Sequence, residues 1–388
     1  MTGTPQPPAS VVVIGTGLIG TSVALALAEH GTRVWLADQD PAAARLAEHI
    51  GAGTALPGGW LPAPGEPAAG LPAELAVLAV PPAAVAPVLA EAQASRVARW
   101  YTDVASVKEL PLARARGLGC DLSGFVPGHP ISGRERSGPA AARADLFLGR
   151  PWVLCPVPEC RPAAVTAVTA LARACGAEPV TATAAEHDRW VALVSHAPHV
   201  TAAAMAARLA DAPAGALALA GQGLRDVTRI AAGDAGLWTQ ILAANAAPVA
   251  EVLAAVAADL SAAAEALTET AQALTEAPGR PAPPGDAVPA AKAITGLLDH
   301  GATGVARIPG KRGRPARPDS VVQVVIRDQP GELARLFRVA GEAGVNIEDI
   351  GIEHSPGLPV GVAELTVRPA AAAALTDALA ANGWPVRR

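Results

Sequence analysis

The side chains able to do chemistry in this chain gather in three strings. Thr102-Asp103-Val104-Ala105-Ser106-Val107-Lys108 is the first. The second is Gly128-His129-Pro130-Ile131-Ser132-Gly133, with Glu135 just beyond. The third opens with His187-Asp188 and Ser195-His196-Ala197-Pro198-His199, and continues through Arg225-Asp226-Val227-Thr228-Arg229 to Trp238. A neutral imidazole such as His129 can take a proton near neutral pH. A hydroxyl such as Ser106 can hydrogen-bond a reacting group, and a guanidinium such as Arg229 can clamp a carboxylate. Each has a plainer alternative. A loop histidine is often surface decoration, and Ser106 could simply cap a helix. His196 and His199 lie one helical turn apart and could be core residues or metal ligands. No third ligand is evident, so a metal site is disfavoured. Arg229 could pair structurally with Asp226, three residues earlier on a helix.

A fourth string is backbone chemistry. Gly15-Thr16-Gly17-Leu18-Ile19-Gly20 follows an apolar run and opens a helical one. Alone the pattern is weak, but its context fits dinucleotide binding. Gly15 allows the tight turn, Gly17 lets backbone approach a pyrophosphate, and Gly20 lets helix and strand pack. The helix start then offers unpaired N–H groups to the phosphates. Asp38 ends the second strand, 18 residues after Gly20, where it can accept from ribose hydroxyls and repel a 2′-phosphate. NAD is expected over NADP. Thr16, Leu18 and Ile19, with Val80 and Pro81 after the third strand, complete the expected cofactor-binding set.

The elements that must position these groups are legible in outline. Val11–Gly15, Arg33–Asp38, Leu75–Val80, Trp100–Val104 and Trp152–Cys155 read as buried parallel strands. Leu18–His30 and Pro41–Ile50 read as intervening helices, giving a doubly wound α/β sheet. Beyond Ala184 strand-like runs vanish. Ala185–Arg208 and Val249–Thr275 are the clearest helices of an all-helical region. Its apolar faces exceed what one small bundle buries, so a partner subunit is expected. A Pro/Gly-rich stretch begins at Pro278. From Ser320 the order becomes strand Val321–Arg327, helix Gly331–Ala343, strand Asn346–His354, strand Val360–Val367, helix Ala370–Asn382 and a closing Trp384–Arg387. The expected division is 9–178 Rossmann, 179–290 all-helical, 291–318 linker and 319–388 a ferredoxin-like module.

At 388 residues with 51% apolar content, two or three domains are expected. Net charge is −5, and apart from Arg307–Arg317 positive charge is not clustered, which argues against nucleic acid. Cys120, Cys155, Cys160 and Cys175 form no CxxC pair and read as reduced thiols. No signal-peptide core or convincing membrane span of about 20 residues is evident, so the cytoplasm is expected.

Taken in order, Asp-x-x-Ser-x-Lys, Gly-x-His-Pro-x-x-Gly and Ser-His-x-Pro-His resemble the prephenate and arogenate dehydrogenase family, from about Val11 to Asn245. The resemblance implies NAD-dependent oxidative decarboxylation of a cyclohexadienol carrying two carboxylates. It implies that His129 is the catalytic base and that Ser106 binds the same hydroxyl and orients the imidazole. Arg229 would hold the ring carboxylate, steadied by Asp226. Ser195, His196 and His199 would line the site, Glu135 would gate it, and Trp238 would pack in its wall. A homodimer through the helical domain is also implied. Asp328-Gln-Pro-Gly331-Glu-Leu-Ala and Gly344-Val-Asn346-Ile resemble the amino-acid-sensing ACT domain, which implies tyrosine as effector near Gly331 and Asn346. Prephenate is favoured over arogenate, because no extra carboxylate awaits an ammonium. A β-hydroxyacid dehydrogenase would need a catalytic Lys, and none lies between residues 179 and 291. A non-catalytic NAD-binding amino-acid sensor would not need Ser106, His129 and Arg229 together.

Overall fold

The structure, a computed structural model, describes residues 6–66, 70–132, 138–276, 289–309, 320–354 and 359–387. Two compact units divide the chain at 257/258.

In the first unit, β1 (Ser10–Ile14), β2 (Arg33–Ala37), β3 (Thr54–Ala55), β4 (Ala73–Leu78), β5 (Ala98–Asp103) and β6 (Phe125–Val126) form one sheet in the order β3-β2-β1-β4-β5-β6. Every pairing in it is parallel. This is the dinucleotide-binding strand order, and its direction reverses between β1 and β4. Strands covered on both faces must be apolar nearly throughout. Val11, Val12, Val13 and Ile14 of β1 are fully buried, as are Leu75 to Leu78 of β4. Ligand-facing loops leave the carboxyl ends of such strands, which places residues 15–17, 79–81 and 104–106 around one crevice.

Trp152–Cys155 departs from expectation. Its strand β8 (Pro151–Leu154) joins a separate sheet between β7 (Gly128–Pro130) and β9 (Glu178–Thr181). It pairs antiparallel with β7 and parallel with β9. His129 is therefore held in a strand, opposite Val153, and not in a free loop. Gly128 explains how close β7 comes to β5. A Cβ there would lie 2.9 Å from Asp103 O and 3.0 Å from both Thr102 Oγ1 and Trp152 Nε1.

The expected helix Ala185–Arg208 is interrupted. Helix Ala184–Val191 passes through a π turn, Ala192–His196, into helix Ala197–Ala207. Pro198 accounts for the break: it lacks an N–H, and its ring crowds the carbonyl four residues back. Shorter helical segments follow, at Ala214–Leu217, Gln222–Thr228, Arg229–Ala232 and Ala235–Ala244. The 31-residue helix Ala246–Glu276 contains the division between the units. By length and composition its span Ala246–Thr275 could cross a membrane, contrary to the expectation of no such span, and only 6% of that span's apolar window is buried.

In the second unit, residues expected as linker form a helix, Pro289–Ala306. Ala290 N donates to Thr270 Oγ1 at 3.1 Å, tying its start to the preceding helix. The remainder of the basic run, 310–317, lies outside the described residues. Next come β10 (Ser320–Arg327), helix Glu332–Glu342, β11 (Ile347–His354), β12 (Val360–Val367), helix Pro369–Ala381 and β13 (Val386–Arg387). They form a β-α-β-β-α-β module with an antiparallel sheet ordered β11-β12-β10-β13. Val322, Val324 and Ile326 alternate into a core with Leu336, Val339, Leu365, Leu375 and Leu379.

Candidate active site

The glycine string sits as its spacing requires. Gly15 has φ +98°, and a Cβ there would collide with the Ala79 carbonyl; one at Gly20 would collide with the Gly15 carbonyl. A Cβ at Gly17 would meet nothing within 4 Å. Gly15 and Gly20 thus serve packing, while Gly17 borders open space at the start of helix Leu18–Glu29, which fits an approaching pyrophosphate. Leu18 and Ile19 form the first turn of that helix. Asp38 stands at the tip of β2. Its Oδ2 accepts from Thr16 N at 2.6 Å and Thr16 Oγ1 at 2.9 Å, and its Oδ1 from Asp40 N at 2.9 Å. The carboxylate therefore braces the glycine loop. Val80 is half-buried beside Gly15, and Pro81 is exposed ahead of the turn Pro82–Ala84.

Across the crevice, a capping box begins the helix that carries His187 and Asp188. Thr183 Oγ1 accepts from Glu186 N at 3.2 Å, and Glu186 Oε2 accepts from Thr183 N at 2.9 Å. The Thr183 N–H and hydroxyl, both donating to Glu186 Oε2, hold that carboxyl below its usual range. One turn in, the buried Asp188 reaches another helix start. Its Oδ1 accepts from Lys108 N at 2.8 Å and its Oδ2 from Glu109 N at 2.9 Å, at the opening of helix Glu109–Gly117. Lys108 makes no side-chain cap there, so Asp188 supplies one from a distance in sequence.

These bonds determine where protons sit. Asp188 Oδ1 is 2.7 Å from His187 Nδ1, and an anchored carboxylate only accepts, so His187 carries its proton on Nδ1. His187 Nε2 is then a lone pair. It lies 2.8 Å from His129 Nδ1, which must be the donor. His129 is left with an unprotonated Nε2, the form a general base needs. Burial holds the His129 imidazole well below the usual histidine range, and His187, Lys108 and His196 push the same way. The ring is neutral at neutral pH.

A second histidine is fixed similarly. Asn245 Nδ2 donates to Asp188 O at 2.8 Å, which identifies that atom as nitrogen, and lies 3.1 Å from His196 Nδ1. His196 Nδ1 therefore accepts, and its proton is on Nε2. Burial pushes His196 down to about 4, against the pull of Asp188. His199 stacks on Trp238, with ring centroids 3.6 Å apart and planes within 11°. His196 meets the same indole edge-on at 6.1 Å.

His129, His187, Asp188, His196, His199 and Trp238 thus share one network. Among the described residues, no hydrogen bond joins Ser106, Ser195 or Asp226 to it. Ser106 is half-buried after β5, and no hydrogen bond joins it to His129 among the described residues. The hydrogen bond at His129 Nδ1 is made with His187. Ser195 is exposed in the π turn. Asp226 Oδ1 accepts from Gln222 Nε2 at 2.8 Å, its visible partner on helix Gln222–Thr228. Arg229 is exposed at the head of the turn Arg229–Ala232, which packs on the helix carrying His199. Gly133 and Glu135 lie outside the described residues. Sequence reasoning missed the roles of His187, Asp188 and Asn245, although His187-Asp188 stood in the third string.

Comparison with known proteins gives the family of the chain. The model of the prephenate dehydrogenase nucleotide-binding domain matches residues 23–181, and that of the family's dimerization domain matches 183–276. The probable prephenate dehydrogenase NovF of Streptomyces niveus is 40% identical over 381 residues, 97% of this chain and 99% of that one. The chain belongs to the prephenate dehydrogenase family. Among solved structures, Synechocystis arogenate dehydrogenase has a TM-score of 0.58 at 24% identity, covering 76% of this chain and 99% of that one. Prephenate dehydrogenase from A. aeolicus, in complex with hydroxyphenyl propionate and NAD+, has a TM-score of 0.61 at 20% identity, covering 76% and 97%. At these identities the two structures speak for the fold alone. The family's two domains meet at 181/183, and the proton network bridges that junction: Lys108 and His129 lie before it, His187, Asp188 and Asn245 after it.

Proposed function

We propose that this chain catalyses the NAD-dependent oxidative decarboxylation of prephenate to 4-hydroxyphenylpyruvate and carbon dioxide. The observation that carries the reading is the chain Asp188–His187–His129, which leaves a neutral imidazole with a bare Nε2. The ring-borne hydroxyl at C4 must lose its proton as its carbon is oxidised, and His129 Nε2 takes it. NAD, when bound, accepts the hydride from C4. The bond from C1 to its carboxylate breaks, its electron pair completes the aromatic ring, carbon dioxide leaves, and the C4 oxygen takes the proton back from His129 to become the phenol. Ser106, beside the same strand end, hydrogen-bonds the C4 hydroxyl. Arg229 takes a substrate carboxylate in a bidentate grip, with Asp226 beside it on the preceding helix. His196 offers Nε2–H to the site, His199 and Trp238 wall it, and Ser195 lies at its margin, with gating by Glu135 resting on the family resemblance. The glycine loop and Asp38 hold the dinucleotide, and the carboxylate disfavours a 2′-phosphate.

A homodimer fits the family's dimerization-domain match and the exposed Leu193, Val194, Leu219 and Val227. The C-terminal β-α-β-β-α-β module fits a ferredoxin-like ACT domain that binds tyrosine. Gly331 is left-handed at the start of its first helix, and Asn346 is exposed, donating to Glu348 Oε1 at 2.8 Å. Appearance of NADH at 340 nm with prephenate, arogenate and a plain 3-hydroxyacid tests the activity; turnover with arogenate alone would move the substrate to the amino form, and turnover with neither would end the reading. Titration calorimetry with tyrosine, with Asn346→Ala as control, tests the effector site.

A further inference from the structure

Lys108 takes no part in the proton chain just described, yet its side chain is fully buried. Its Nζ pairs with Asp103 at the end of β5 and donates to Gly128 O at 2.6 Å, the carbonyl immediately before His129. Its backbone N–H holds Asp188 Oδ1, the far end of the chain of bonds that orients His129. One residue therefore grips both ends of the arrangement: the strand that carries the base, and the carboxylate that sets its tautomer. Asp103 contributes differently. Its Oδ1 also accepts from Ala105 N at 2.9 Å, while its Oδ2 has no partner among the described residues. Burial raises its pKa, opposed by the Lys108 ammonium and by the backbone N–H groups of Ala105 and Gly128.

We propose, resting on the dehydrogenase reading above, that Lys108 is a positioning residue that sets where His129 Nε2 stands, through the Gly128 carbonyl, while Asp103 only seats its ammonium. A displacement of about 1 Å at a reacting group costs on the order of 10²-fold in rate. Three variants of the full chain separate the roles: Asp103→Asn, Lys108→Met, and both together. The double variant removes both charges and is read even where Lys108→Met alone fails to fold. Asp103→Asn keeps the Gly128 contact, and its kcat stays within about fivefold of the parent. The two variants lacking Lys108 lose about 10²-fold in kcat with KM changed less than about threefold. The acid limb of their kcat/KM profile moves to higher pH, because a cation that disfavours imidazolium is gone. Imidazole nitrogen NMR reads the same point without turnover: the His129 Nδ1–H signal keeps its parent shift in Asp103→Asn and moves without the Lys108 side chain, although the backbone N–H of residue 108 still holds Asp188.

A double variant that matches Asp103→Asn in kcat, acid limb and His129 spectrum overturns the proposal. So does an Asp103→Asn variant that shows the full loss by itself, which also decides the matter should neither Lys108 variant fold. A parent enzyme inactive on prephenate and arogenate refutes the functional reading instead, and the imidazole spectra still decide the role of Lys108.

Discussion

Replacing His187 with phenylalanine tests the tautomer directly. His187 has no exposed surface, and a phenyl ring keeps its planar shape at a slightly larger volume, which by itself costs stability more than rate. What disappears is the acceptor 2.8 Å from His129 Nδ1. A buried donor left without a partner costs about 1–3 kcal/mol. At about 1.4 kcal/mol per decade that is roughly a 5- to 150-fold fall in kcat if the cost appears in the transition state. The upper bound is loss of general-base catalysis altogether, about 10²–10⁴-fold. KM for prephenate should change little. The pH profile adds a second reading. A base must be unprotonated, so the rate falls as pH drops through its pKa. Burial holds His129 well below the usual 6.5, and the parent should stay active to the acid side of that value. With the neutral acceptor gone, the His129 imidazolium loses the partner its Nδ1–H donates to, so the acid limb moves to lower pH. Stopped-flow or steady-state NADH formation across pH 5–8 measures both quantities, at roughly constant ionic strength. A His187→Phe enzyme within threefold of the parent in kcat, with an unmoved acid limb, would show that His129 needs no partner at Nδ1.

His129→Asn should lose about 10²–10⁴-fold in kcat with little change in cofactor affinity, read by NADH formation and by NAD titration. Arg229→Ala should raise KM for prephenate far more than it lowers kcat; equal losses would refute a mainly binding role. Gly233→Ala should disturb the site wall, because its Cβ would lie 2.5 Å from Trp238 Nε1 and 2.8 Å from His199 Cε1. Its KM should rise and its tryptophan fluorescence shift, and unchanged values would mean the stack yields easily. Asp38→Ala should weaken NAD and narrow its advantage over NADP; an undiminished preference would place discrimination elsewhere.

How much of this was legible in the residues depends on the range of the interactions. The nucleotide half was readable because each signal is local: β1 is a run of β-branched residues, and Gly15 to Gly20 follow it at once. The C-terminal module was readable for the same reason, since Val322, Val324 and Ile326 alternate on one strand. Failures came where a single residue changes the local rule. Pro198 converts an expected continuous helix into a π turn between two helices. Trp152–Cys155 has the apolar content of a central strand, but composition does not say which sheet it joins or in which direction. Pro289–Ala306 was masked by the Pro/Gly-rich stretch before it, although its Leu and Ile spacing suits a helix once that stretch has ended.

The site illustrates a different limit. His129 was identifiable as a type, but its competence depends on a proton assigned through residues 58 and 59 positions away in the chain. Asp188 looked like half of a His-Asp dipeptide, and its two oxygens in fact cap a helix 80 residues earlier. No periodicity encodes such a contact; it exists only when the capping box at Thr183 and the strand end at Asp103 bring the two segments together. That dependence is itself informative. A base whose tautomer is set by a carboxylate capping another domain's helix is competent only while the two family domains are docked. Strain or mutation at the 181/183 junction should therefore reach kcat before it reaches the glycine loop, whose brace from Thr16 N to Asp38 Oδ2 lies wholly on one side of that junction.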